Sequence, residues 1–491
     1  MLLLRKLFFY LFVFIYLVFC PLIISYAVGY IYKPGQERGI VKSGLIYFST
    51  IPPGASVYLG NRRYTKKTPT ALTGLVPGNY PVKLVLKKYR PWLGTLPVEA
   101  GKATLLERIL LLPEQRKQNV LSFERFENLI PIPGANFFLL TQGSKLSDLF
   151  ICDWRMEKVR PLFPTHSPFR DAKLTTYFSV EESRALLFHV DSEDGKKFLW
   201  VVPKARETLV RDLSNLFPEK PEDVEWHPQN RQYLFSFQNG YLNQLDIVSK
   251  TMTPKFLENV RGYGLGRRLF DKKVYVLTKD FSFRRVDFEG KKSEPFLDDA
   301  FLEQSLFEGG GIYQIKVFSE DIILFLGEEG ELLLNRSPHH FVKEGVLGLA
   351  FYPKLRRLLL WKKDALGVLD FSEEENKEDI FEAGAKLIWV FEQGKRIEQA
   401  FWVYEGSHVL FRDGDKVFLL ELETYEKPRL YDLLNVKNNS SIFYSEESGT
   451  LYYLDPTTGS LSSVEILPGM EMPPLPFPER KEEKKKGEID E

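Results

Sequence analysis

Few side chains in the sequence are of the kinds that ligate metals or act as nucleophiles. There are six histidines and two cysteines among 491 residues. His339 and His340 are adjacent, and neighbouring strand residues point to opposite faces, so we do not expect them to share a metal ion. His189 lies in an alternating strand pattern, and Cys152 has no histidine nearby in a nucleophile motif. These residues are predicted to be structural, and no metal site is predicted.

Glycine-containing stretches of the chain fall short of known ligand-binding motifs. Gly262-x-Gly264 begins like a dinucleotide fingerprint, but Arg267 stands where the third glycine belongs. We predict a flexible connection there. Asp413-Gly414-Asp415 offers too few ligands for calcium and is predicted to be a hairpin turn. No phosphate-binding loop or hydrolase elbow motif occurs. The sequence therefore predicts a protein that is not an enzyme and uses no cofactor.

Composition favours a large β-rich protein of several domains. The chain carries 66 basic and 66 acidic residues, so no global basic field is available to hold nucleic acid, and no nucleic-acid partner is predicted. Apolar residues make up 44% of the chain, enough for a sizeable core. The 39 Phe and 23 Tyr favour strands, because aromatic side chains suit half-buried pleated surfaces.

An uncharged apolar run occupies residues 7–32. It is long enough to cross a bilayer and longer than the apolar region of a cleaved signal peptide, so we predict a single transmembrane anchor. Cleavage after Ala27 is the alternative. Residues 1–6 form a short stub that we place in the cytoplasm, although the flanking positive charges are nearly balanced. The later domains are then extracytoplasmic, on the outer side of the inner or cell membrane.

Residues 44–112 alternate between short strand patterns and turns rich in Gly and Pro, which predicts a small antiparallel β domain. This stretch resembles the PEGA domain family in the order and spacing of its landmarks: Pro52-Pro53-Gly54-Ala55, Val57-Tyr58-Leu59, Thr68-Pro69, Leu75-x-Pro77-Gly78-x-Tyr80 and Tyr89-x-Pro91-Trp92. Two positions depart from the family pattern, Pro53 in place of Glu and Lys88 in place of Gly. The resemblance implies a β-sandwich-like module of an envelope protein, without known catalytic residues.

Two interpretations of this module remain open. Its Pro, Gly and Thr residues are predicted mainly to build turns. Alternatively, Tyr58, Tyr64 and Trp92 form an exposed surface for a protein or glycan partner.

From residue 120 to residue 466 a pattern of strand, turn, strand, Gly-containing turn and strand recurs every 40–50 residues. This period predicts a β-propeller of seven or eight blades, because one four-stranded sheet cannot bury both faces alone. Strands such as Glu225-Trp226-His227-Pro228 resemble diverged TolB-like and WD-like propellers. Trp226, Trp402 and His227 are predicted to be structural. Two successive β-sandwiches are the alternative.

Two segments fall outside the repeated pattern. A helix beginning at Glu375 is predicted to be a blade insertion, and residues 467–491 are predicted to be a disordered tail.

The fold class predicted is therefore all-β, with a transmembrane helix, a small PEGA-like β-sandwich and a propeller. The function predicted is that of a membrane-anchored binding or scaffold protein of the cell envelope, whose propeller presents a protein- or glycan-binding surface. One alternative is a propeller enzyme, a glycosidase or lyase acting on envelope polysaccharide. Another is a structural module whose tail carries the interaction.

Overall fold

The computed structural model describes residues 2–32, 39–179, 185–204, 208–228, 230, 232–266, 272–296, 311–319, 321–335, 340–371, 386–422 and 428–466. Strands account for 56% of the chain, which confirms the all-β class. The chain divides into two compact units, with the boundary between Arg116 and Lys117. The predicted tail at residues 467–491, the insertion at Glu375 and His339 lie outside the described residues.

The first unit begins with helix α1, Leu2–Ala27, which is long and apolar enough to be a candidate membrane span. A two-stranded hairpin of β1 (Tyr30–Tyr32) and β2 (Ile40–Lys42) follows. The helix thus ends five residues before the predicted span 7–32 does, and it includes residues 2–6 of the predicted stub. The reason is local. Gly29 adopts a left-handed φ of +94°, and its carbonyl accepts hydrogen bonds from the amide and hydroxyl of Ser43.

Seven strands form two packed sheets in residues 44–110. They are β3 (Gly44–Ile51), β4 (Ser56–Leu59), β5 (Arg62–Lys67), β6 (Thr70–Leu75), β7 (Gly78–Val85), β8 (Trp92–Val98) and β9 (Ala103–Leu110). One sheet has the order β6-β3-β9 and the other β5-β4-β7-β8. Alternating residues of both sheets, including Phe48, Val57 and Leu84, are fully buried between them. This is the β-sandwich that the resemblance implied.

The second unit begins with strand β10, Gln118–Ser122, followed by three four-stranded antiparallel sheets. Sheet 1 contains β11 (Asn128–Pro131), β12 (Phe137–Thr141), β13 (Leu149–Asp153) and β14 (Lys158–Pro161). Sheet 2 contains β15 (Lys173–Phe178), β16 (Leu186–Ser192), β17 (Gly195–Pro203) and β18 (Thr208–Asp212). Sheet 3 contains β19 (Asp223–Trp226), β20 (Tyr233–Gln238), β21 (Tyr241–Asp246) and β22 (Thr251–Leu257). In each, consecutive strands are neighbours.

Four further four-stranded meanders continue the series. Sheet 4 contains β23 (Val260–Leu265), β24 (Lys273–Thr278), β25 (Phe283–Asp287) and β26 (Ser293–Pro295). Sheet 5 contains β27 (Tyr313–Ser319), β28 (Ile322–Gly327), β29 (Leu332–Leu334) and β30 (His340–Val342). Sheet 6 contains β31 (Gly348–Tyr352), β32 (Arg357–Trp361), β33 (Leu366–Asp370) and β34 (Lys386–Phe391). Sheet 7 contains β35 (Ile397–Val403), β36 (His408–Asp413), β37 (Lys416–Glu421) and β38 (Arg429–Asn435).

The last sheet, sheet 8, joins the two ends of the unit. It contains β39 (Phe443–Ser445), β40 (Thr450–Leu454) and β41 (Leu461–Glu465), and its fourth strand is β10. The register pairs Gln118 with Val464. Sheet 8 also packs on sheet 1, because Phe138 contacts Phe443 and Tyr452 with ring centroids 5.1 and 5.4 Å apart.

Sheets 4 and 5 are joined edge to edge by a parallel pairing of β23 with β27. Gly262 and Gly264 permit this approach, because a Cβ at either position would collide with the backbone of β27. The prediction of a flexible connection at Gly262-x-Gly264 is therefore wrong: both glycines lie in a buried strand. By contrast, the hairpin predicted at Gly414 is present, with a left-handed φ of +64°.

Candidate binding surfaces

An open groove of about 1120 Å³ lies between sheets 3 and 4 of the second unit. One wall comes from the end of β19 and from strands β20–β22, and the other from the start of β24 and the turn between β25 and β26. Polar and charged side chains dominate its lining, among them His227, Gln244, Lys272, Lys273 and Lys292. We call this the inter-sheet groove.

His227 lies in an aromatic corner of the inter-sheet groove. Its ring centroid is 4.1 Å from that of Phe288, and it stacks on Phe235 at 6.0 Å. The ring is half-buried, and this burial lowers the pKa of His227 below its usual value. Its Nδ1 accepts a hydrogen bond from the amide of Asn230, which fixes the ring orientation. At neutral pH the groove therefore contains a neutral imidazole packed against the rings of Phe288 and Phe235.

The acidic side chains of the inter-sheet groove have partners within the protein. Asp246 accepts hydrogen bonds from Gln232 at 2.7 Å and from the amides of the turn that follows it. Asp287 accepts from the amides of the β25–β26 turn, and Glu289 pairs with Lys291 at 2.8 Å. In the described part of the chain no ion pair neutralises Lys272, Lys273 or Lys292. The lining thus carries four lysines against the three acidic side chains, a small excess of positive charge.

A second surface lies on the first unit, on the solvent-facing side of the sheet β5-β4-β7-β8. Strand alternation turns Val57 and Val82 inward and leaves Tyr58 and Lys83 facing solvent. Arg63 and Lys83 flank Tyr58 in the cross-strand register, and the Arg63 guanidinium lies 5.9 Å from the Tyr58 ring. We call this the outer face.

The module that carries the outer face is strongly basic, although the whole chain has no net charge. Residues 44–112 contain ten Lys or Arg and two Glu. Half of the cations are exposed together at one end of the sandwich, which we call the basic end: Lys66, Lys67, Lys87, Lys88 and Arg90.

Three comparisons with known proteins bear on these two units. Residues 43–110 match the PEGA domain family. The resemblance found in the sequence is thereby confirmed over the sandwich, which we now call the PEGA domain. No curated protein matches the sequence.

Solved structures similar to this chain include a β-propeller domain and a WD40 domain. The β-propeller domain of Cps50 (Swd1) from Myceliophteria thermophila is 11% identical, with a TM-score of 0.36, and covers 71% of this chain and 100% of its own. The C-terminal WD40 domain of Sif2 is 12% identical, with a TM-score of 0.46, and covers 72% and 99%. The CNH domain of AfRom2 is 14% identical, with a TM-score of 0.34, and covers 71% and 98%. These TM-scores are too low to support an argument about architecture. The evidence for a propeller is therefore the order of the strands in this chain.

The three residues predicted to form a partner surface on the PEGA domain have different environments. Trp92 is 4% exposed and belongs to the core, so its prediction as a surface residue is wrong. It lies on the inward side of β8, opposite Leu84. Tyr64 is half-buried against that core, and the Arg62 guanidinium lies 5.1 Å from the centre of its ring. Of the three, only Tyr58 lies on the outer face, where it is half-buried.

Other residues singled out in the sequence are structural. Cys152 is fully buried, and this burial raises the pKa of its thiol to about 12, which keeps it protonated. His189 is 3% exposed and stacks on Phe198 at 4.6 Å. Trp226 and Trp402 are buried in the packing between sheets, as predicted. Among the described residues no group of three or more His, Cys, Asp or Glu is arranged to hold a metal ion.

The inter-sheet groove was not predicted from the sequence. The sequence did contain an indication of it. Two Lys-Lys pairs, Lys272-Lys273 and Lys291-Lys292, each stand at or just before the beginning of a strand. The β24–β25 hairpin brings them together, with Lys273 opposite Asp287 in the register. Without knowledge of that hairpin, the pairs resemble ordinary solvated charges.

Proposed function

We propose that this protein is a membrane-anchored binding and scaffold protein of the cell envelope, in which α1 is the anchor and the second unit is the binding domain. The apolar composition of α1 supports the anchor. The match of residues 43–110 to the PEGA family supports an extracytoplasmic location. The function is ligand retention rather than turnover.

The binding domain is proposed to be a closed propeller of eight blades, corresponding to sheets 1–8. Two features support closure. Strand β10 completes sheet 8, so the first and last strands of the unit share one blade. Sheets 7 and 8 are also linked, because the Gln399 amide donates to the carbonyl of Ile442 and accepts from its amide at 2.7 Å. Limited proteolysis that releases single sheets from the folded unit would contradict a closed ring.

The inter-sheet groove carries the proposal of binding. It is open to solvent, its acidic groups are already hydrogen-bonded, and its lysines outnumber its acidic side chains by four to three. A groove of this charge fits an extended acidic segment of a partner protein, with the aromatic corner at His227 accommodating an apolar side chain.

Binding at the groove can be tested with the full chain in nanodiscs and a fluorescent acidic octapeptide of Glu, Ser and Leu. The double variant Lys272→Glu/Lys292→Glu is expected to weaken binding at least tenfold, because both charges repel the peptide. Lys158→Glu, on strand β14 of sheet 1, is the matched control and is expected to bind as the native protein does. Equal loss in both variants, or no loss in the double variant, would refute the groove as the site.

The membrane topology needs its own experiment. A reporter enzyme that is active only outside the cytoplasm, fused at residue 470, is expected to be active in cells. A silent reporter, together with an active cytoplasmic reporter at the same position, would overturn the proposed location without affecting the groove.

A further inference from the structure

The basic end of the PEGA domain is a charged patch that the groove and the proposed function leave unused. Its five side chains come from the end of β5 and from the turn between β7 and β8. The register brings these segments together, since Ser56 of β4 is opposite Lys67 on one side and Val85 on the other. Adjacent strands are about 4.8 Å apart, so cations on β5 and β7 lie about 10 Å from each other.

The charges of the basic end are not neutralised within the described part of the PEGA domain. None of the five side chains forms an ion pair there. Glu99, one of the two acidic residues in 44–112, pairs with Lys102 at 2.6 Å at the other end of the sandwich. The outer face extends the patch, because Arg63 and Lys83 lie on the same two strands.

Lys88 has a backbone conformation that is unfavourable for a residue with a side chain. Its φ is +71°, in the left-handed region where glycine is preferred, and this is the position at which the PEGA family pattern has Gly. The carbonyl of Lys88 accepts a hydrogen bond from the amide of Glu114, which holds the turn in place. A lysine in this conformation is strained, and strain of this kind concentrates at functional positions.

The basic end points away from the helix. Ser43 bonds to Gly29 beside the end of α1, and β3 runs from the next residue, Gly44, to Ile51. Eight extended residues span about 26 Å. Beyond Ile51, its carbonyl accepts from the amide of Leu111, and the amide of Arg90 donates to Leu112. Charges are screened over about 8 Å at physiological salt, so the basic end is separated from the end of α1 by several screening lengths.

We propose that the basic end binds a linear phosphodiester polymer of the cell envelope. Lysine ammonium groups bind phosphate as point charges, and a row of them about 10 Å apart fits a chain with repeating anions. A polymer with bases is disfavoured, because base binding relies on exposed aromatic platforms. Tyr58 and Tyr64 are only half-exposed, and each ring has an arginine guanidinium near it. The choice of an envelope polymer rests on the proposed extracytoplasmic location.

The test uses the full chain in nanodiscs of zwitterionic lipid, with a defined poly(glycerol phosphate) oligomer as the probe. Five phosphate contacts predict a slope of about −3.5 for log K against log salt, or about 100-fold weaker binding between 50 and 200 mM salt. The quadruple variant with Lys66, Lys67, Lys87 and Lys88 changed to Gln is expected to lose most of the affinity and of the slope. Lys102→Gln, at the opposite end, is the control and is expected to bind normally.

Lys88→Gly separates binding from folding. This change is expected to leave Tm unchanged or raised, since the strain is relieved, and to reduce the magnitude of the salt slope by about 0.7. A variant that keeps both its affinity and its slope would refute a role for Lys88 in binding.

Three further probes decide between polymers. Tighter binding of a single-stranded oligonucleotide, of a polyuronate or of nanodiscs containing anionic lipid would each refute the proposal in favour of that ligand. Binding of the oligomer is measured in vitro, so a failed topology reporter leaves this result intact, and a failed oligomer experiment leaves the proposed anchoring intact.

Discussion

The Arg412 guanidinium lies 2.7 Å from the Glu398 carboxylate, and the Arg412 side chain is only 2% exposed. Glu398 also pairs with Arg396 at 3.1 Å, so one carboxylate serves two arginines within sheet 7. Burial lowers the pKa of Arg412, and the charge of Glu398 opposes this effect. Arg412 is buried, whereas Glu398 is partly exposed, so an unpaired Arg412 would destabilise the protein more than an unpaired Glu398.

This asymmetry predicts unequal effects of removing each partner. Glu398→Gln is expected to lower the free energy of unfolding by about 2 kcal/mol, because it leaves Arg412 buried without its counter-ion. Arg412→Met is expected to cost below about 1 kcal/mol, since Glu398 is partly exposed and retains Arg396. Urea unfolding of residues 40–466 measures both values. A larger loss for Arg412→Met than for Glu398→Gln would contradict this account.

In the PEGA domain, Trp92 and Tyr58 are expected to respond differently to truncation. Trp92→Ala empties a core position and is expected to destabilise the domain by about 3–5 kcal/mol. Tyr58→Ala, on the outer face, is expected to cost below about 1 kcal/mol. Circular dichroism of a fragment of residues 40–116 during thermal unfolding measures the difference. Equal destabilisation would show that Tyr58 is also a core residue.

His408 is expected to make stability depend on pH. It is 3% exposed, packs edge-on against Tyr404 and lies opposite Glu421, and burial lowers its pKa to about 3. Between pH 6.5 and 3 the unfolded chain binds a proton that the folded chain does not. Stability therefore falls as pH falls through this window, by about 1.4 kcal/mol per pH unit from this residue, and is unaffected above it.

The His408→Asn variant tests this effect, because Asn does not titrate and its amide can still donate a hydrogen bond to the Ser407 hydroxyl, which itself donates to the Tyr404 carbonyl. The free energies of unfolding of the two proteins, measured from pH 7 to pH 4, are expected to converge as pH falls. A constant difference across the range would mean that His408 does not titrate as proposed.

Gly264 is expected to tolerate no side chain. A Cβ there would lie 2.5 Å from the carbonyl oxygen of Ile315, which cannot move without breaking the parallel pairing. Gly264→Ala is expected to cost about 3 kcal/mol. Gly311→Ala is the control, because its Cβ would have only the end of the Glu328 side chain nearby, at 3.8 Å, and it is expected to be neutral. The Tm values of both variants check the prediction.

Periodicity was sufficient to predict the classes of structure in this chain. Alternation within residues 44–112 predicted a small β domain, and the structure has this domain, with Val57 and Leu84 in its core. It failed for Trp92, because the position was judged by residue type instead of by its place opposite Leu84. The recurrence of strand patterns predicted the sheets, although it left the choice of seven or eight open.

Long-range features were beyond the sequence. The approach of β23 to β27 depends on residues some fifty positions apart, and nothing near Gly262 indicates it. The inter-sheet groove depends on which hairpins become neighbours, and the partnership of Arg412 with Glu398 depends on an irregular register near the start of β35. Local patterns specify strands, whereas sites depend on contacts between strands that are distant in the sequence.

Because β10 pairs with β41, sheet 8 can be completed only late in the synthesis of this unit. Strand β10 is made before any of the other sheets in its unit, yet its partner β41 ends at Glu465. During translation or export the early strand has no strand partner until residues 461–465 have emerged. A ribosome that stalls, or a protease that acts, before residue 461 would leave a chain unable to complete this sheet, so truncated copies should be recognisable to quality control by the strand edges of β10 and β40 that β41 covers.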